Sequence, residues 1–116
     1  MSRAEAARAG TTAVADAAPV FAALGDATRL GLIRRLCDGG PQSIVALSAG
    51  FGLSRQAVTK HLRVLARAGL VAADAVGRER RYRLTPQRLT AARAFLEAVD
   101  AQWDDALARL QAHVER

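Results

Sequence analysis

The clearest hydrophobic pattern of the chain is helical and lies near its middle. Val58, Leu62 and Leu65 recur at intervals of four and three, and at about 100° per residue they share one side of a helix. Ser54 stands where the first turn needs a side-chain cap, and a glycine follows the last turn, where a left-handed residue is favoured. The pattern predicts a helix over residues 54–68 that buries one apolar stripe and leaves its opposite face free.

Shorter helices are predicted on the N-terminal side of this one. Pro19 suits the first turn of a helix, Asp26 suits the N-cap of a second, and Ser43 suits the N-cap of a short third. About four residues separate the third helix from the fourth, which is the geometry of a helix-turn-helix. Residues 1–18 are rich in alanine and are predicted as a separate N-terminal segment, flexible or partly helical, with no assigned function. The second helix is predicted to bury a stripe of Leu30, Ile33, Leu36 and Cys37.

A β-hairpin is predicted directly after the central helix. Two extended segments within residues 71–84 flank a turn at Gly77 and Arg78. Tyr82 and Leu84 fall on one face of the second segment, because successive side chains of a strand point to opposite faces. The pattern predicts a two-stranded wing.

The last helix is predicted to be longer than the rest of the chain can cover. Thr85 and Pro86 fit the N-cap and the first helical position of a helix over residues 86–115. Thirty helical residues extend for about 45 Å. The apolar positions follow steps of three and four, nearly a heptad pattern, so this helix calls for a partner, most simply a second copy of the chain. The predicted dimer seam consists of Leu96, Val99, Trp103, Leu107, Leu110 and Val114.

The positive charge of the chain is concentrated in the central helix and the hairpin. Residues 53–83 carry eight Lys/Arg and two acids, a net charge of +6, whereas the other 85 residues carry nine of each. Such a concentration is expected of a surface that meets nucleic-acid phosphates. A solvated helix face is the alternative, but it normally mixes the signs of its charges. The candidate DNA-binding residues are Ser54, Arg55, Gln56, Thr59, Lys60 and Arg63 on the helix, and Arg78, Arg80 and Arg81 in the wing.

The residue types within this set suggest different roles. Gln56 and Thr59 lie near the helix start and are candidates for reading bases, since Gln can pair with adenine, while Arg55 can read guanine. Lys60 and Arg63 are expected to meet phosphates. The arginines of the wing are expected to reach phosphates or a narrow minor groove, the alternative being charge that keeps an exposed hairpin edge soluble.

Three segments of the chain together resemble a known family. They are residues 21–30 (FAALGDATRL), residues 53–65 (LSRQAVTKHLRVL) with 68–71 (AGLV), and residues 77–84 (GRERRYRL). In their order and spacing they resemble the ArsR/SmtB family of winged-helix repressors, and the resemblance covers about residues 19–116. It implies a dimeric repressor that binds a palindromic operator and is released by an inducer. It does not identify the inducer.

The resemblance also locates the positions at which members of this family bind metals. The family's cysteine pair on the third helix corresponds to Ser43 and Val45, so no thiolate ligand is present. The family's second site, on the last helix, corresponds to Asp100, Gln102, His113 and Arg116. Only two of these four are possible ligands, and an arginine would repel a cation. The chain is therefore predicted to belong to a branch without metal ligands, with no cofactor and an unknown effector.

Composition and motif content argue against several other classes of protein. A single cysteine excludes an internal disulfide and suits a reducing cytoplasm, and no apolar run approaches the about 20 residues that cross a bilayer. No phosphate-binding loop or paired catalytic groups point to an enzyme. The sequence predicts a mostly helical winged helix-turn-helix with a small β-hairpin. Its predicted function is that of a cytoplasmic, homodimeric repressor of transcription that binds an inverted-repeat operator, with autoregulation as a further expectation and no membrane contact. Two alternatives stay open: a metal-responsive repressor of the same family, and a winged helix that contacts other proteins.

Overall fold

A computed structural model describes residues 2–115, apart from the side chains of residues 6–12. The described residues form five helices and one small sheet, and the predicted mostly helical winged helix-turn-helix with a long last helix is confirmed. The elements in chain order are α1 (Arg3–Leu24), α2 (Ala27–Gly39), β1 (Gln42–Ser43), α3 (Ile44–Ser48), α4 (Arg55–Arg67), β2 (Val71–Val76), β3 (Glu79–Leu84) and α5 (Pro86–Val114).

The first helix begins much earlier than the sequence predicts. The Ser2 hydroxyl accepts from the Glu5 amide at 3.2 Å while the Glu5 carboxylate accepts from the Ser2 amide at 3.1 Å, a reciprocal cap that starts α1. Pro19 therefore lies inside α1, and the predicted start there is wrong. The boundary predicted between residues 18 and 19 falls within one continuous helix. Packing carries the helix through the proline, because Ala17 and Val20 on either side of it are buried.

The apolar stripe of α2 is only partly the predicted one. Leu32 and Leu36, four residues apart, are buried, whereas Leu30 is half-exposed and Cys37 is exposed. The prediction of a buried thiol is therefore wrong. Leu32 and Leu36 face the core and Ile33 is half-buried against it, whereas Leu30 and Cys37 lie toward solvent, so the buried stripe is shifted from the predicted one.

The core forms where α4 meets α1, α2 and α3. The predicted stripe of α4 is confirmed, since its three residues have no exposed surface. It packs with side chains from every neighbouring element, and their burial fixes the orientation of α4. The buried side chains of this core include Val20, Leu32, Leu47, Val58, Leu62, Leu65 and Leu70.

The sheet has three strands rather than two. β3 lies in the middle and pairs antiparallel with β2 and with β1, in which Gln42 faces Tyr82. A two-residue strand carries too little alternation to be visible in the sequence. The predicted hairpin is confirmed, with Gly77 in the left-handed region (φ 62°) at its turn and Tyr82 buried against the core.

The long last helix starts as predicted but leaves its second half uncovered. Thr85 occupies the N-cap position, although its hydroxyl donates to the Gly69 carbonyl instead of capping the helix. α1 covers the first half of α5, where Phe21 meets Phe95 edge-on at 5.8 Å between ring centroids. No helix within residues 2–115 is long and apolar enough to span a membrane.

Candidate nucleic-acid interface

The helix-turn-helix presents one open groove between α3 and the exposed face of α4. The groove has a volume of about 620 Å³. The structure brings five of the six candidate residues of α4 together here and adds two apolar residues of α3. The lining residues are Ile44, Val45, Arg55, Gln56, Thr59, Lys60 and Arg63.

The sixth candidate of α4, Ser54, has a structural role at the start of the helix. Its hydroxyl accepts from the Ala57 amide at 3.1 Å, which confirms the predicted N-cap. Thr59 is half-buried, and its hydroxyl donates to the Arg55 carbonyl at 2.7 Å. The other groove residues of α4 are exposed. Within residues 2–115, the charged side chains among them form no ion pair.

Arg35 of α2 holds the turn that precedes α4, a role that the sequence analysis missed. Its guanidinium donates to the carbonyls of Ala46 at 3.1 Å and Leu47 at 3.3 Å, near the C-terminal end of α3. The same guanidinium lies 4.8 Å from the ring centroid of Phe51, within the turn. A Cβ at Gly31 would lie 2.8 Å from this ring, so the glycine permits its close approach to α2. No pattern of residue types marks such a long-range contact.

A second set of polar contacts ties α4 to the junction of α1 and α2. The Arg29 guanidinium donates to the Ala23 carbonyl at 2.5 Å and lies 3.3 Å from Nδ1 of His61 on α4. Asp26 caps α2, accepts from the Arg29 amide at 3.0 Å and has its Oδ2 3.7 Å from the same His61 nitrogen. The hydrogen bond from the Arg29 amide, with the nearby positive charge, lowers the pKa of Asp26 below its usual 3.8. His61 is thus a packing residue of the helix junction.

Within the part of the chain that the structure describes, two of the wing arginines form ion pairs and two do not. Arg83 pairs with Asp74 at 2.7 Å across the hairpin, and Arg81 contacts Glu79 at 3.3 Å. Arg78 lies in the turn and Arg80 near it, both exposed, and within residues 2–115 neither forms an ion pair. Of the three wing candidates, Arg81 is therefore already partly neutralised, whereas the other two keep their full charge for a ligand.

The predicted dimer seam is a largely bare apolar surface in the single chain. Val99 is half-buried, beside an apolar groove of about 510 Å³ between α1 and α5. The other five seam residues are more than half exposed, and Trp103, at 63%, is by far the largest side chain among them. Those five are Leu96, Trp103, Leu107, Leu110 and Val114.

The positions of the family's metal sites show no ligand cluster in the described part of the chain. Ser43 uses its hydroxyl to accept from the Ala46 amide at 3.2 Å, and the aliphatic Val45 is exposed. No three His, Cys, Asp or Glu side chains gather at one point among the described residues. Arg116 lies outside the described residues. The absence of metal sensing stays a prediction.

The helix-turn-helix, the wing and the basic groove define a winged helix-turn-helix DNA-binding protein. A helix-turn-helix domain family matches residues 24–72. The HTH-type transcriptional regulator Rv2034 of Mycobacterium tuberculosis is 40% identical over 85 residues, which are 73% of this chain and 76% of that protein. The structure of an ArsR-like transcriptional regulator from Rhodococcus sp. RHA1 is 41% identical, with a TM-score of 0.70 over 84% of this chain and 91% of that one.

A third relative is described as a homodimer. It is the winged helix-turn-helix DNA-binding domain of Mb0332 from Mycobacterium bovis, 26% identical with a TM-score of 0.61, covering 94% of this chain and 93% of that one. The chain belongs to the ArsR family of winged-helix transcriptional regulators. The predicted family is therefore confirmed, as is the expectation of a DNA-binding regulator rather than an enzyme.

Proposed function

We propose that the protein is a homodimeric repressor that binds an inverted-repeat operator through α4 and the wing of each subunit. The observation that carries this proposal is the placement of unpaired positive charge. Every acid within residues 53–83 pairs with a wing arginine, so the groove and the wing turn present cations alone. Such a surface attracts the phosphates of nucleic acids.

We assign different contacts to the individual side chains of this surface. Gln56 and Thr59 read base edges in the major groove, and Arg55 joins them at the start of α4. Lys60 and Arg63 lie further along the groove and neutralise phosphates, which fixes the register of the helix on the DNA. Ser54 acts chiefly as the cap that shapes the start of α4. In the wing, the unpaired Arg78 and Arg80 bind phosphates or the minor groove, and Arg81 contributes less because of its pairing.

Dimerisation follows from the bare apolar seam of α5. A row of exposed leucines around Trp103 on a 29-residue helix is unfavourable in water and is best covered by the same row of a second subunit. The homodimeric domain of Mb0332 supports this assignment. A two-fold dimer presents its two copies of α4 to successive major grooves about 34 Å apart, which an inverted repeat matches.

Repression and its release are proposed without a metal. Ser43 and Val45 replace the thiolates of one family site, and Ser43 is engaged in capping α3. Binding of the dimer near its own promoter would block transcription there, and the inducer is left to experiment.

Binding of the purified protein to the DNA upstream of its own gene tests the proposal, with scrambled DNA of equal composition as competitor. Measurements at about 50 and 200 mM salt should show selective binding that weakens steeply as salt rises. Lys60→Gln should weaken binding, whereas Arg109→Gln, which removes the same charge from α5, should leave it unchanged. Equal binding to both DNAs would contradict a specific operator upstream of the gene. Absence of binding at either salt would favour a winged helix that contacts proteins.

A further inference from the structure

One aliphatic side chain lies exposed within the basic groove. Val45, in the first turn of α3, is 55% exposed and lines the groove together with Gln56 and Thr59 of α4. A single exposed valine is common on protein surfaces. This one is distinctive because its neighbours across the groove are the side chains proposed to read bases. The cations Arg55, Lys60 and Arg63 line the same groove.

Thr59 adds a second apolar group to the same place. Its hydroxyl donates to the Arg55 carbonyl one turn earlier, at 2.7 Å, so the donor is already used within the helix. The Thr59 oxygen can then act toward a ligand only as an acceptor, and the methyl group is the apolar contact that the side chain offers in the groove. Val45 and Thr59 thus contribute methyl groups from two different helices to one groove.

Only one of the four bases offers an apolar group in the major groove. Thymine carries a methyl group at C5, and valine- or threonine-like methyl groups are its natural contacts. We infer that Val45 and the Thr59 methyl group form an apolar contact for the 5-methyl group of a thymine in each half-site. This inference rests on the proposed function, in which α4 enters the major groove. The neighbouring Gln56 would bind an adenine, so an A·T-containing step is the expected target of this part of the groove.

The inference is tested by removing single methyl groups from both molecules. In the operator, deoxyuridine replaces each thymine in turn, which deletes only the 5-methyl group. In the protein, Thr59→Ser deletes one methyl group and keeps the hydroxyl bonded to Arg55, and Val45→Ala shortens the exposed side chain. For the unaltered protein, one deoxyuridine position per half-site should weaken binding about fourfold, the effect of losing one buried methyl group. In each variant, replacing that thymine by deoxyuridine should weaken binding by much less than fourfold, because the methyl group of the protein that contacts it is already missing.

Val76→Ala provides the matched control, since this wing valine is 50% exposed and lies outside the groove. It should leave the deoxyuridine penalty unchanged. The inference is overturned if no deoxyuridine position weakens binding, or if the penalty is the same in the unaltered protein and in both variants. The first of these results is measured with the unaltered protein, so misfolding of a variant cannot hide it, and the second needs only one of the two variants to fold. Selective, salt-dependent binding of the operator would still support the proposed function in that case.

Discussion

The division of the wing arginines into paired and unpaired ones makes a quantitative prediction. Arg78 in the turn has no ion-pair partner within the described residues, whereas Arg83 is held by Asp74 at 2.7 Å. Arg78→Gln and Arg83→Gln lower the net charge of the wing equally. They should nevertheless differ in their effect on DNA binding, because only an unpaired cation releases a counterion from the DNA when it binds.

The expected magnitude follows from counterion release. Each phosphate neutralised on duplex DNA contributes about 0.9 to the slope of log affinity against log salt concentration. A dimer has two wings, so Arg78→Gln should reduce the steepness of the slope by about 1.8. Between about 50 and 200 mM salt, the variant should therefore lose ~12-fold less affinity than the unaltered protein. Arg83→Gln should change the slope by less than half as much.

The assay is a titration of labelled operator DNA with each protein at four or more salt concentrations. Thermal unfolding of the two variants provides the control for folding, and both should remain stable, since exposed ion pairs contribute about 0–1 kcal/mol. An Arg83→Gln variant that reduces the slope as much as Arg78→Gln would refute the reasoning. It would show that net charge, not pairing, determines the contribution of the wing.

Three further predictions concern the dimer, the turn and the helix junction. Trp103→Asp should give a monomer that loses operator binding, whereas Ala101→Asp on the opposite side of α5 should stay dimeric; a dimeric Trp103→Asp protein in sedimentation would contradict the seam. Arg35→Met should lower the free energy of unfolding by about 2 kcal/mol, because two charged hydrogen bonds to α3 are lost; unchanged urea unfolding would disprove this role. Because the pKa of Asp26 is lowered in the folded protein, the charged carboxylate stabilises the fold at pH values above its ordinary pKa of 3.8. This stabilisation is lost as the pH falls through the lowered pKa. Asp26→Asn, which keeps a side-chain cap, should therefore lose less stability than the unaltered protein between about pH 5 and pH 2 in acid unfolding; equal losses would exclude the carboxylate as the cause.

The predictable part of the fold is the part whose signals are local. α4 could be placed from the sequence because its apolar stripe, its serine cap and its terminal glycine all lie within sixteen residues and agree with one another. The start of α1 could not, since an alanine-rich segment has little amphipathic pattern and Pro19 imitates a helix start. Cys37 was misplaced because two apolar registers overlap in α2, and only tertiary packing chooses between them.

The candidate site shows the same limit in its electrostatics. The sequence locates the groove side chains and the positive charge, but it does not reveal which charges have partners. Arg81 and Arg83 were indistinguishable from Arg78 by residue type. The pair of Arg83 with Asp74 depends on how β2 and β3 meet, and the pair of Arg81 with Glu79 on their sharing one face of β3. Arg35 was invisible for the same reason, since its carbonyl acceptors lie eleven and twelve residues away.

The ion pairs of the wing also limit how steeply the affinity of the whole dimer for DNA depends on salt. Eight cations and two acids within residues 53–83 leave six cations per subunit without an ion-pair partner among the described residues. Arg67 lies beside Pro19 and Ala22, away from the groove, which leaves five toward the DNA. If Arg55 reads a base, four per subunit neutralise phosphates, and the dimer should show a slope of about −7.

A measured slope of about −9 would place Arg55 on a phosphate instead of a base, since a fifth cation per subunit then contributes. A steeper slope would require cations outside the helix and the wing, and the basic surface identified here would be incomplete. A slope near −4 would match two phosphate contacts per subunit, and the single variants would show whether they come from α4 or from the wing. The salt dependence of one operator complex therefore tests how many cations of each subunit meet phosphates, which the net charge of +6 alone cannot do.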